Sequence, residues 1–475
     1  MKIMYVASEA APFAASGGLG DVMGALPAAV KKTDKESEIS VILPLYSVIE
    51  DEYREKMKKV SEFNFYLSWR FVYCGIYQLK HNNVQYFFVD NEYYFKRKFI
   101  YGDFDDGERF AYFSCAVIEF MLHSGNIPDI LHANDWQSAL SVIYLKTKYK
   151  DNESLQNIKT VFTIHNIEYQ GKYGMNILGD VFSLDDKYKS ILEFNGEINL
   201  LKGAIVCADK LTTVSPTYAK ELKESYFAFG LENIINMYSD KMCGIINGID
   251  EKYFSPSNSE ELLKSYNSVT YKKGKAENKL ALQKDMGLEQ NERIPLIAMV
   301  TRLTKAKGIE LVLHVLDELL CENVQFVILG TGEREYEDIL SDVCGRYEKK
   351  ARAIIKFDRA LSKRLYASSD IFLMPSKSEP CGLAQMVACR YGSLPVVRAV
   401  GGLYDTIIPH GEENSNGFVF ENFNAHEMLF KIKEAISLYE NEKEWSALVK
   451  RAMKSDFTWK PSAEKYMDIY RELNS

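Results

Sequence analysis

Five short stretches carry residues whose types and spacing suit the capture of an anionic ligand. They are Ser16-Gly17-Gly18-Leu19-Gly20-Asp21, His132-Ala133-Asn134-Asp135-Trp136, His165-Asn166, Thr301-Arg302 through Lys307-Gly308, and Ser378-Glu379-Pro380-Cys381-Gly382-Leu383. Glycines let a ligand approach bare backbone, and a helix that starts just after them offers unpaired N–H groups to an anion. A tight strand-to-helix turn explains Gly17 and Gly18 equally well. Arg302 and Lys307 flank the start of a predicted helix, where positive side chains gain nothing from the helix dipole. Either an anion sits between them or they lie on a solvated helix face.

Glu379 and Pro380 read as an ordinary helix start, with Pro in the first turn and a favourable acid before it. That reading leaves Gly382 unexplained, whereas a ligand pressed against bare amides explains it. Cys381 reads as a small packing residue, since no histidine partner is nearby in sequence. His165, at a predicted strand end, is either structural or part of the site. The seven histidines show no H-x-x-x-H or H-x-H spacing, which argues against a metal role. Asp103-Phe104-Asp105 is a D-x-D, but it also reads as a polar loop capping the next helix. Gly330-Thr331-Gly332 lacks the third glycine of a dinucleotide fingerprint and reads as a turn.

The elements that must position these stretches alternate along the chain. Strands are predicted at 2–7, 39–43, 84–89, 130–132, 160–164 and 210–214, then at 295–300, 324–329, 353–357, 371–374 and 395–397. Helices fit between them, among them 21–32, 108–123, 216–224, 308–320, 362–367 and 379–390. Near-continuous apolar strands joined by helices indicate α/β domains with parallel sheets covered on both faces. The polar stretch 255–291 opens a second domain, with a hinge near 247–250. The segment after Pro461 is an amphipathic helix. Gly17-Gly18-Leu19-x-Asp21 recurs as Gly401-Gly402-Leu403-x-Asp405, as two doubly wound domains using one kind of turn would produce. Two facing Rossmann-like domains follow.

The chain has 475 residues, enough for two to four domains, and its 47% hydrophobic and 26% charged content excludes a disordered protein. A net charge of −8 without a basic stripe argues against nucleic acid as a partner. The eight scattered cysteines, without C-x-x-C pairs, suggest reduced thiols. The N-terminus reads as a first strand and not a signal peptide, and no uncharged run is long enough for a membrane span. A soluble, cytoplasmic protein is expected.

Taken together, SGGLGDVMGALP, YGDFDDGERFAYF, HANDWQSAL, TIHNIEYQG, ADKLTTVSPTYAKE, IINGID, TRLTKAKG, PSKSEPCGL and YGSLPVVRAVGGLYDT resemble the bacterial glycogen synthase and plant starch synthase family, in order and over nearly the whole chain. The resemblance implies a GT-B fold: 1–245 as the N-terminal acceptor-side domain, 246–456 as the nucleotide-sugar donor domain, and 457–475 as a helix packing back on the first. It also implies transfer of glucose from ADP-glucose to the non-reducing end of an α-1,4-glucan such as glycogen. Configuration would be retained, with no metal or other cofactor. By the same resemblance Arg302 and Lys307 bind phosphate, while Glu379 and the amides of Cys381, Gly382 and Leu383 grip the transferred glucose. Phe357 lies against the base, and Gly17, Gly18, Asp21, Asp135, His165 and Asn247 line the reaction centre. Ala15 stands where the family places a lysine on the donor's diphosphate. The alternatives are a related GT-B enzyme using UDP-glucose, and a catalytically silent glucan-binding scaffold, which would have no need of Arg302, Lys307 and Glu379 together.

Overall fold

β1 (Lys2–Val6) is buried at every position but its first, as an apolar strand must be when helices cover both faces of a sheet. In the computed structural model, which describes all residues 1–475, it lies within a nine-stranded sheet. The other strands are β2 (Glu38–Pro44), β3 (Lys58–Leu67), β4 (Arg70–His81), β5 (Val84–Asp90), β6 (Ile130–Asn134), β7 (Lys159–Ile164), β8 (Lys210–Thr213) and β9 (Met242–Gly244). Their order is β9-β8-β7-β6-β1-β2-β5-β4-β3. Every pairing from β9 to β5 is parallel, and β4 runs antiparallel to both β5 and β3. That edge hairpin departs from the wholly parallel sheet read from the sequence. Phe63, Phe65 and Leu67 are buried and alternate with exposed Asn64 and Tyr66, the two-residue period of a strand covered on one face only.

The chain divides into two units, Met1–Gly248 with Trp459–Ser475, and Ile249–Thr458. The terminal helix Lys460–Asn474 therefore belongs to the first unit, where it packs on helix Gly18–Thr33. Tyr470 fixes it by hydrogen bonds to the Tyr5 hydroxyl of β1 at 2.9 Å and to Nδ1 of His132 in β6 at 2.7 Å.

The second unit holds β10 (Leu296–Val300), β11 (Gln325–Gly330), β12 (Ala351–Ile355), β13 (Ile371–Met374), β14 (Leu394–Arg398) and β15 (Phe418–Phe420). They form an all-parallel sheet in the order β12-β11-β10-β13-β14-β15. Among the parallel strands of each unit the order reverses once, between β1 and β6 in the first and between β10 and β13 in the second. Doubly wound sheets bind ligands beyond the carboxyl ends of the strands at such a reversal. Gly17–Asp21 follows β1, Asp135 follows β6, Arg302–Lys307 follows β10, and Glu379–Leu383 follows β13. No helix is long and apolar enough to cross a membrane.

Two boundaries correct the sequence reading. The expected helix 379–390 begins only at Ala384, because Gly382 has φ +71, a left-handed conformation that interrupts any helix started at Glu379. The strand expected at 353–357 ends at Ile355, which leaves Phe357 in the loop that follows.

Candidate active site

In the first unit the glycine loop is shaped by a residue that the sequence motifs passed over. The Glu9 carboxylate, 3% exposed, accepts hydrogen bonds from the backbone amides of Ser16 (2.6 Å) and Gly17 (3.2 Å). Its other oxygen accepts from the hydroxyls of Ser16 (2.8 Å) and Tyr101 (2.7 Å). Part of the anion-binding capacity expected of this loop is thus already used by the chain itself. Gly18 and Leu19 begin the helix, where first-turn amides have no intrahelical acceptor. A side chain added at Gly17 or Gly18 would meet nothing within 4 Å, so the fold of this unit gives no reason for glycine there. The second Gly-Gly pair is different in kind. A Cβ at Gly401 would lie 2.0 Å from the Glu379 carbonyl and one at Gly402 would lie 2.1 Å from that of Cys381. The amide of Gly402 also donates to the Glu379 carbonyl at 3.1 Å. Gly401 and Gly402 are a seat for the Glu379 loop, whereas Gly17 and Gly18 stand open to a ligand.

Asp135 and His165 come together across the ends of β6 and β7. Asp135 Oδ1 accepts from the backbone amide of His165 at 2.7 Å. Asp135 itself has φ 56 and ψ 178, a region that residues with a side chain enter at a cost of roughly 1–3 kcal/mol and that is common at functional sites. Burial pushes its carboxyl up to about 7, against the pull of the two amides that it accepts from, and the charge of Glu9 adds to the rise. The folded chain therefore holds this proton more tightly than the unfolded chain, and stability falls as pH rises from 3.8 to about 7. Asp135→Asn keeps the acceptor oxygen and removes the charge. It is expected to stabilise the protein by roughly 1–3 kcal/mol at pH 8, to leave stability unchanged below pH 4, and to lower activity. Melting curves at both pH values check this, and an equal effect at the two would contradict it.

His165 is held neutral, its pKa pushed down to about 3 by burial. Asn247 is 5% exposed and its Oδ1 has no hydrogen-bond partner, an arrangement that suits a ligand donor. Asp21 lies in the first turn of helix Gly18–Thr33.

In the second unit, glycines bring the loops into register. A Cβ at Gly308 would lie 2.1 Å from the Pro375 carbonyl, and the Lys377 amide donates to the Ala306 carbonyl at 2.9 Å. The two loops are thereby pinned together, and Lys307 reaches Glu379. Its Nζ lies 2.8 Å from Oε1 and 2.7 Å from Oε2, and Ser376 Oγ donates to Oε2 at 2.8 Å. Glu379 is 6% exposed. Lys307 is therefore the counter-ion of Glu379, a contact that neither residue's local sequence reveals. Arg302 is exposed on the loop after β10. Gly330-Thr331-Gly332, expected as a turn, continues out of β11 and pairs with that loop: Gly332 bridges to Leu303 in parallel, Leu303 donates to the Thr331 carbonyl at 2.9 Å, and a Cβ at Gly332 would lie 2.1 Å from the Leu303 carbonyl. Cys381 is buried and Leu383 immediately precedes helix Ala384–Arg390. Gln385 Nε2 donates to the carbonyls of Cys381 (3.1 Å) and Gly382 (3.0 Å), which holds the loop open-backboned. Phe357, 77% exposed, follows β12 with the Arg359 guanidinium 5.8 Å from its ring.

The D-x-D carboxylates have other partners. Asp103 pairs with buried Arg109 at 3.1 Å, and Asp105 pairs with Arg97 at 2.8 Å.

Comparison with known proteins agrees with this arrangement. The starch synthase catalytic domain family matches residues 2–237, and the glycosyl transferases group 1 family matches residues 284–452. The glycogen synthase of Clostridium novyi is 46% identical over 100% of this chain and 99% of its own length. That of Geobacillus stearothermophilus is 43% identical over 100% of this chain and 98% of its own. Among solved structures, the catalytic domain of starch synthase IV from Arabidopsis thaliana, bound to ADP and acarbose, superposes with a TM-score of 0.91 at 33% identity, covering 99% of each chain. Sucrose-phosphate synthase from Thermosynechococcus elongatus shares the fold alone, with a TM-score of 0.63 at 15% identity over 99% of this chain and 98% of that one. Two doubly wound domains with these matches define a glycosyltransferase of the GT-B class. Within that class, the chain belongs to the glycogen synthase and starch synthase family.

Proposed function

We propose that the protein elongates an α-1,4-glucan such as glycogen, moving glucose from ADP-glucose to the 4-hydroxyl at the non-reducing end with retention of configuration. The observation that carries this is the Lys307–Glu379 pair beside the Arg302 loop at the strand-order reversal, in a chain 46% identical along its length to a glycogen synthase. Breaking a glycosyl–phosphate bond builds negative charge on the diphosphate and positive charge on the sugar. Arg302 and Lys307 stabilise the first, and Glu379 the second. The amides of Cys381, Gly382 and Leu383 hold the glucose, and Phe357 rests against the base. By the resemblance to the family, Gly18, Asp21, Asp135, His165 and Asn247 are assigned to the reaction centre and Gly17 to the donor. The departing phosphate oxygen takes the acceptor's proton, so no side chain is assigned as base. Release of ADP from ADP-glucose that requires glycogen is the expected result, and release that is indifferent to glycogen would overturn the proposal.

No metal or other cofactor takes part in this scheme. Transfer is expected to survive EDTA unchanged, since cationic side chains and amides carry the diphosphate. A loss restored by magnesium or manganese would return Asp103 and Asp105 to consideration.

A second reading, UDP-glucose as the donor, turns on Ala15, which by the resemblance stands where the family has a lysine. Its methyl packs over Gly20, where a Cβ would come within 2.4 Å of it. Ala15→Lys is expected to tighten ADP-glucose binding by roughly tenfold at low salt, the worth of one charge-assisted contact, and by less at high salt. Improvement with UDP-glucose alone would favour the second reading. No improvement with either donor would reject the missing contact.

A further inference from the structure

We propose that Asn134 is a positioning residue that fixes the tautomer of His165, leaving the Nδ1 lone pair of that ring as the acceptor for a hydroxyl of the transferred glucose. The inference rests on the reaction proposed above for the choice of ligand, and on the geometry and burial of the ring for the tautomer.

Asn134 is the last residue of β6 and is 1% exposed. Its Nδ2 donates to two backbone carbonyls, those of Val6 and His132, each at 3.2 Å. Carbonyls only accept, so the orientation of the amide is determined by its surroundings, and Oδ1 must be the atom that faces away from them. That Oδ1 lies 3.0 Å from Nε2 of His165. An amide oxygen cannot donate, so Nε2 carries the hydrogen of this contact. A neutral imidazole has one N–H, and Nδ1 is then bare. Within the protein, the ring makes no other hydrogen bond.

Neutrality follows from the surroundings. Burial disfavours the charged ring, and no carboxylate contacts it. Asp135 turns Oδ1 to the main-chain amide of His165 and not to the imidazole. His132, the titratable neighbour on β6, is itself buried, with Nδ1 on Tyr470 and Nε2 on Thr163 at 2.6 Å, and cannot supply a counter-charge. Glu9 acts on Asp135 across the same cluster and makes no contact with His165. The β6 strand end therefore does two jobs in consecutive residues: Asn134 orients the ring of His165 and Asp135 anchors its backbone. With the opposite tautomer, or with the imidazolium, Nδ1 would carry a hydrogen, and the sugar hydroxyl would have to accept there and could no longer donate to the ring. A buried site built for one polarity rejects the other strongly.

The test is nitrogen-15 NMR of the full-length protein labelled at histidine, with the His165 signals assigned by their loss in His165→Gln. The expected spectrum is that of the neutral Nε2–H tautomer from pH 5.5 to 8. Asn134→Leu should mix the tautomers and lower kcat by roughly 10–100-fold, with the affinity for ADP unchanged. Asn134→Asp places a carboxylate against Nε2, which favours the charged ring, so a new acidic limb should appear in its kcat profile. An Nδ1–H or doubly protonated His165 in the wild type at pH 7 would overturn the inference, and so would wild-type kcat in Asn134→Leu. The spectrum reads the tautomer without turnover, so failure of the proposed reaction and failure of this assignment give different results.

Discussion

Glutamine in place of Glu379 is expected to lower the rate of glucosyl transfer by roughly 10²–10³-fold, the effect of removing one preorganised electrostatic group from a transition state. The substitution keeps the shape of the side chain and deletes its charge. If Glu379 were present only to begin a helix, little would change, but the helix begins at Ala384, five residues later. The carboxylate is instead held by Lys307 and Ser376 at 2.7–2.8 Å in a position set by the Gly401-Gly402 seat. Binding of ADP to Glu379→Gln should stay close to wild type, because the diphosphate does not contact this charge in the proposed scheme. Steady-state kinetics with glycogen, together with ADP titration, separate the two quantities. Turnover near the wild-type rate would remove Glu379 from the mechanism.

Alanine in place of Lys307 acts on both quantities at once. In the proposed scheme it takes a cation from the diphosphate, and it leaves Glu379, 6% exposed, without its counter-ion. An uncompensated buried charge is strongly unfavourable, so the Glu379 carboxylate is not expected to keep its position. Lys307→Ala is therefore expected to raise the KM for ADP-glucose and to lower kcat, each by roughly tenfold or more. Arg302→Ala should act mainly on donor affinity. The pair also predicts non-additivity: Lys307→Ala in a Glu379→Gln background should lower kcat much less than it does in the wild type, because no charge is left to orphan. Two substitutions that multiply would show that the ion pair plays no part in turnover.

Apolar runs marked the central strands well, since β1, β2, β5–β7, β10, β11, β13 and β14 are largely buried. Helix Tyr271–Asp285 was hidden because its buried face is polar. Lys275 Nζ lies 2.7–3.3 Å from four backbone carbonyls that share its N–H groups, its pKa lowered to about 7 by burial, and Lys279 pairs with Asp370 at 2.6 Å. A search for hydrophobic periodicity passes over such a helix. Hairpin β3–β4 was legible in principle from Phe63, Phe65 and Leu67.

The motif residues fall at the carboxyl ends of strands: those after β1, β6, β10 and β13 stand at the strand-order reversals, and His165 follows the neighbouring β7. Their partners were not legible. Glu9 meets Ser16 across a loop, Lys307 meets Glu379 at a separation of 72 residues, and Gln385 supports Gly382 from the next helix. No local spacing encodes such contacts. The one available signal was Glu9 itself, a carboxylate at the end of an apolar strand, where an acid is costly unless several donors surround it.

The most direct test gives the wild-type protein ADP-glucose and a short α-1,4-maltooligosaccharide, and follows the product by mass and by proton NMR of the new anomeric centre. The account predicts a ladder of single glucose additions, each matched by one ADP and each carrying an α-1,4 linkage. Hydrolysis of the donor without elongation, addition only from UDP-glucose, or a β linkage would contradict it.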